Sequence, residues 1–168
     1  MMTNKERSAA IRAELKKLGY NSKQVSVKSG YCGYSDFTNV TIKDLLADRK
    51  AIESACKKFQ SIDYDSASGE ILAGGNTYIH VQYDYHTLND AIEDRRKNLD
   101  SMIAEIEKEQ KHIKKNASDY VLFKQGDSFC MVVYENNSAF GNIIIRPTNN
   151  IEQFKYSLAA YLVTDFNY

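Results

Sequence analysis

The chain has 168 residues, with 22 Lys and Arg against 22 Asp and Glu and 43% hydrophobic residues. That balance excludes a disordered chain and suffices for one sizeable core or two small lobes. No run approaches the ~18 apolar residues of a membrane span, and the start, MMTNKERSAAIRAELKKLGY, has neither an apolar h-region nor a small-residue cleavage site, so a cytoplasmic protein is expected.

Thr3 followed by Glu6 has the form of a capping box, and Ile11, Leu15 and Leu18 recur at helical spacing until Gly19, which predicts a helix over residues 4–18. Val25 and Val27 alternate with Ser26 and Lys28, and Phe37, Asn39, Val40 and Ile42 suggest a second, less regular strand. The Gly30–Asp36 segment between them reads as a loop. Ile52, Ala55, Cys56 and Phe59 follow the i, i+3, i+4, i+7 rule and place a helix over about residues 48–60. After a polar turn around Asp65–Gly69 and the Gly74-Gly75 break, Tyr78–Tyr85 alternates as a third strand. Residues 1–86 are therefore expected to form an α-β-β-α-β lobe.

Thr87 reads as the N-cap of one long helix reaching about Lys115, residues 87–116 in all. Ile92, Leu99, Ile106 and Ile113 stand seven residues apart on it, a heptad-like seam that Arg95 and Glu109 interrupt. Such a seam has to be covered, either by the protein's own sheets or by a second copy in a homodimer, and the interruptions favour the former. Tyr120–Phe123, Phe129–Tyr134 and Ile143–Ile145 read as three strands with turns at Gln125-Gly126-Asp127 and Asn136-Asn137-Ser138. Pro147 ends the last strand, and Ile151, Phe154, Leu158, Tyr161 and Leu162 supply a closing amphipathic helix. Residues 117–168 are thus a β-β-β-α lobe, and the fold class is α+β.

Chemistry is sparse. Cys32, Cys56 and Cys130 are odd in number, far apart and without a CxxC, and read as reduced thiols. His80, Asp84 and His86 share a face of an extended strand but span about 20 Å, too far for one metal ion. The glycines form neither a dinucleotide fingerprint nor a phosphate loop, and Asp63 with Asp65 lacks calcium-loop spacing, so no cofactor, no metal site and no catalytic residue is expected. Charge is divided along the chain: residues 1–62 hold 12 Lys/Arg against 6 Asp/Glu, and residues 63–110 hold 4 against 11. Opposed fields of this kind either steer charged partners or answer one another inside the fold. Lys23, Lys28 and Lys43, interleaved with Tyr31 and Tyr34, form the candidate partner-binding set, since lysines neutralise phosphates, tyrosines stack on bases, and tyrosine also serves protein interfaces.

The segment IRAELKKLGYNSKQVSVKSGYCGYSDFTNVTIKD, followed by KKFQSIDYDSASGEILAGGNTYIHVQYDY, resembles the large polyvalent protein associated domains, the twenty-ninth class of that series, found on phages and conjugative elements. Ile11–Lys16 fits their IRxxLK-type helix, Lys23–Ser29 their K-x-SVRS strand with Lys28 in place of Arg, and Asn39–Ile42 their second strand. The likeness covers residues 8–85 and brings no catalytic residues with it. It implies a mobile-element protein that helps its carrier persist in a host. The expectation is a non-enzymatic counter-defence inhibitor that binds a host defence protein such as a CRISPR or restriction nuclease. The alternative is a nucleic-acid-binding accessory or regulatory factor, and the third an enzyme whose site carries no recognisable motif.

Overall fold

A computed structural model describes residues 2–115, 117–135 and 138–166. The capping box forms: the Thr3 hydroxyl accepts from the Glu6 amide, and the Glu6 carboxylate accepts from the Thr3 amide at 2.8 Å. It starts α1 (Asn4–Lys17), which stops before Gly19 at φ +89. β1 (Val25–Cys32) and β2 (Ser35–Ile42) then pair antiparallel, from Val25 opposite Ile42 to Cys32 opposite Ser35. The expected loop over Gly30–Asp36 is therefore mostly strand, because ladder bonds are made by the backbone and need no apolar side chain. Only Gly33 and Tyr34 form the turn, with Gly33 at φ +60 as a two-residue hairpin loop requires.

Asp48 caps α2 (Arg49–Lys57) by accepting from the Ala51 amide. The chain returns as β3 (Thr77–Tyr83), which pairs parallel with β2, Asp36 opposite Thr77 through Ile42 opposite Tyr83. The sheet order is β1-β2-β3. Ile11 and Leu15 of α1, Ile52 and Cys56 of α2, and Val25, Val27, Val40 and Ile42 of the sheet form one buried cluster, against which Ile79, Val81 and Tyr83 pack. Both helices thus cover one face of the sheet, and this unit, residues 1–88, follows the expected α-β-β-α-β order.

The second unit, residues 89–168, departs from expectation at its start. In place of one helix to Lys115 the chain forms α3 (Tyr85–Lys97), α4 (Asp100–Ile106) and then β4 (Lys111–Lys115). Asp84, not Thr87, opens α3: its carboxylate accepts from the Thr87 amide at 3.1 Å and the Thr87 hydroxyl at 3.0 Å. The break falls at Asn98, a poor helix former, whose amide tightens onto Arg95 O and whose side chain donates to Asp94 O. Breaking there lets Ile92, Leu99, Ile103 and Ile106 all be buried. Ile113 is not on that seam; it lies on β4 opposite Tyr120, while Ile92, Leu99 and Ile106 are buried within the chain itself.

β4, β5 (Ser118–Gln125), β6 (Ser128–Glu135) and β7 (Asn142–Thr148) form an antiparallel meander in that order. Pro147 lies inside β7, which its position on an edge strand permits. The expected turn at Asn136-Asn137-Ser138 falls partly outside the described residues. α5 (Ile151–Tyr161), capped by Asn150, packs on the sheet with Phe154 against Phe129 at 5.4 Å and Tyr161 against Tyr120 at 5.8 Å between ring centroids. Several charges of these helices pair inside this unit: Asp100 with Lys155, Glu105 with Lys111, Glu107 with Lys124, and Arg96 with Glu152 of α5. Among the described residues no helix is long and apolar enough to cross a membrane.

Candidate functional site

The five expected partner-binding residues do not converge. Lys23 precedes β1 and Lys43 follows β2, whereas Tyr31 and Tyr34 lie at the turn, about 24 Å away at about 3.4 Å per residue. Lys28 is midway, opposite Asn39, and by strand alternation points to the face that the helices leave open. Tyr31 has the opposite parity yet is 75% exposed, and Tyr34 at the turn is 91% exposed.

The turn end of the hairpin is built with residues that the sequence pattern does not mark. The segment before β3 folds back on it: Gly75 N donates to Tyr34 O at 3.0 Å, and Asp36 N donates to Asn76 O at 2.8 Å. Asn76 is buried, and its side chain accepts from Asp63 N and donates to Leu72 O, pinning the segment from within. Gly74 and Gly75 take φ +87 and +73, a conformation that admits this close return. Asp65 accepts from the amides of Ser68 and Ala67, which hold its carboxyl below its usual range and shape the turn. The result brings Tyr64, Ile71 and Leu72, exposed by 56%, 51% and 46%, to the same end as Tyr31 and Tyr34. The signal available in the sequence was the apolar pair Ile71-Leu72 inside an otherwise polar turn.

Beneath that end the interior is polar. Arg7, 3% exposed, donates to Asp36 Oδ2 at 2.8 Å, to Asn4 Oδ1 at 2.7 Å and to Met2 O at 3.0 Å. The Ser8 and Ser29 hydroxyls share a hydrogen bond of 2.6 Å, and Ser29 and Thr38 another of 2.7 Å. These bonds clasp the first turns of α1 to the hairpin, where apolar contact gives way. Arg7 lies one helical repeat before Ile11 and Leu15, so its inward direction was legible at i, i+4, i+8 spacing.

On the open face of β1-β2-β3, alternation places Lys28, Gly30 and Cys32, then Phe37, Asn39 and Thr41, then Tyr78, His80 and Gln82. The Phe37 ring lies across Gly30, where a Cβ would stand 2.8 Å from Phe37 Cζ. Tyr78 and His80 hold their rings 6.5 Å apart with planes within 18°. A hollow of about 420 Å³ is lined by Cys32, Ser35, Asp36, Phe37, Asn39, Tyr78 and His80. Cys32 is exposed, whereas Cys56 and Cys130 are buried, which pushes the Cys56 thiol up to about 11 and the Cys130 thiol upward.

His80 is thus a strand residue of this face. Asp84 caps a helix, its carboxyl held below its usual range chiefly by the Thr87 amide, and His86 sits in the first turn of that helix against Tyr85. Among the described residues no group of three His, Cys, Asp or Glu side chains is placed to hold a metal ion. In the second unit a hollow of about 500 Å³ between β7 and α5 is lined by Arg146, Thr148, Gln153, Ser157 and Tyr161 among others. Comparison of the chain with models of known protein families, with characterised proteins and with solved structures finds no match in any of the three.

Proposed function

We propose that the protein acts by binding and not by turnover, as an accessory factor of a phage or other mobile element, and that its target is a host defence protein such as a CRISPR or restriction nuclease in the cytoplasm. The observation that carries the binding reading is the turn end of the first unit. Three tyrosines and two aliphatic side chains are each about half exposed or more there, on a backbone that Asn76 and the Arg7 clasp hold in place. Grouped exposed apolar side chains mark interaction surfaces, and tyrosine is favoured in them because its large ring and hydroxyl engage a partner with few rotamers to freeze. The mobile-element setting, and with it the class of target, comes from the resemblance over residues 8–85.

The test is a purified cleavage assay with candidate host nucleases, read together with gel filtration. An inhibitor of this kind suppresses cleavage at about one copy per nuclease and comigrates with it, and Tyr34→Ser with Leu72→Ser abolishes both effects while leaving the circular dichroism unchanged. Suppression far below stoichiometry without a complex would indicate an enzyme and sink the reading.

A further inference from the structure

We infer that the open face of the β1-β2-β3 sheet is a binding platform for single-stranded nucleic acid, separate from the turn-end surface. Three features of the face converge on that chemistry. The first is the set of rings. Phe37 lies down on Gly30, and Tyr78 and His80 keep parallel planes at a centroid spacing of 6.5 Å, too wide for either ring to cover the other. Their faces remain open to a planar guest, and base-on-ring stacking is tolerant of sequence because every base has a π-face.

The second is charge. The residues alternating onto this face include Lys28 but no Asp or Glu, and the one carboxylate lining the hollow, Asp36, is engaged by Arg7. A lysine beside stacked rings suits a phosphate next to a base. The third is the set of neutral polar groups between the rings: Asn39, opposite both Lys28 and His80, together with Thr41 and Gln82. Base edges satisfy such donors and acceptors, whereas an apolar peptide laid on the face would leave them unpaired. A duplex is a poor occupant, since its bases are already stacked and its grooves admit a protruding helix or ribbon, not a flat sheet face.

The experiment is fluorescence anisotropy of the full chain with a labelled oligothymidine of about 12 nucleotides, with the same strand annealed to its complement and an abasic strand of equal charge as comparisons. The single strand binds at low salt, and duplex and abasic strands bind about tenfold more weakly or worse. Tyr78→Ala and His80→Ala each lower affinity about tenfold without changing the salt slope, whereas Lys28→Ala lowers the slope of log affinity against log salt by about 0.7. Lys28 and His80 are exposed, so these two variants keep the fold, which circular dichroism verifies. Tyr34→Ser leaves strand binding intact. The inference is overturned by absence of binding at low salt, by equal affinity for abasic strand, or by strand binding indifferent to Tyr78, His80 and Lys28. It is overturned equally if those variants release a protein partner and no strand binds.

Discussion

Removing the Arg7 guanidinium tests the clasp under the turn end most directly. Arg7→Met keeps the length and apolar stem of the side chain and deletes three donated bonds, to Asn4 Oδ1, to Met2 O and to the Asp36 carboxylate, of which the last is left as a largely buried charge without its partner. Breaking a buried pair from one side costs about 3–5 kcal/mol, most of it the burden of the charge left behind. Asp36 is 16% exposed, so water reaches part of it and the loss should fall at the lower end, about 3 kcal/mol. In a unit of 88 residues that lowers the melting temperature by about 15 °C. Asp36→Leu should cost a similar amount, because it leaves Arg7 charged and unpaired, whereas the double variant Arg7→Met with Asp36→Leu should regain most of the loss, since no uncompensated charge remains. The chain has no tryptophan, so urea unfolding is followed by far-ultraviolet circular dichroism, with hydrogen exchange of the β1 and β2 amides isolating the first unit. Single variants that lose less than about 1 kcal/mol, or losses that simply add in the double variant, would refute the reasoning.

Other expectations are more compact. A maleimide added to the native protein should modify Cys32 alone, with Cys56 and Cys130 reacting only after urea, as peptide mapping would reveal. Hydrogen bonds from Lys17 and Lys58 hold the Glu14 carboxyl down to about 2 from its usual value of 4.5, so its contribution is fully present above pH 4.5 and is lost as pH falls from there toward 2; Glu14→Gln should make that limb of an acid titration shallower and leave the shape of the curve above it unchanged. Leu99→Asp or Ile106→Asp buries a carboxylate without a partner, and the outcome should be an unfolded or aggregating chain; a folded monomer obtained from a parent that sediments as a dimer would show the seam to be intermolecular after all.

The elements that the sequence marks best are those whose signal is local. Thr3 and Glu6 state the start of α1 by themselves, and Val25 and Val27 or Ile79 and Val81 declare strands by alternation. The long helix fails for a matching reason. Ile92, Leu99 and Ile106 recur by sevens whether or not the chain is continuous between them, and lysine is a good helix former, so KHIKK carries no warning that its backbone pairs with Ser118–Leu122. What decides it is the partner strand, which lies outside any local window. The candidate surfaces divide likewise. Tyr31, Tyr34 and Lys28 stand out by composition, but the placing of the two tyrosines at the turn and of Lys28 midway along the open face follows from register, and the membership of Tyr64, Ile71, Leu72, Tyr78 and His80 follows from a return across residues 58–76. Arg7 is the instructive middle case: its stripe position is local, but the Asp36 that makes its burial tolerable lies 29 residues away.

The parallel pairing of β2 with β3 also sets a timetable. The β1–β2 hairpin closes through a two-residue turn, and contacts so local form early, within about 1–10 μs in isolated hairpins. β3 joins only after α2 and the whole return segment have been emitted and folded back, and such long-range closure is the slow step of a small mixed fold. Phe37 belongs to the early hairpin, and Tyr78 and His80 to the late strand. A nascent or clipped chain that ends before Thr77 therefore holds one ring of the three and leaves the β3-facing ladder groups of β2 unpaired, which makes the open face a marker that β3 has been added.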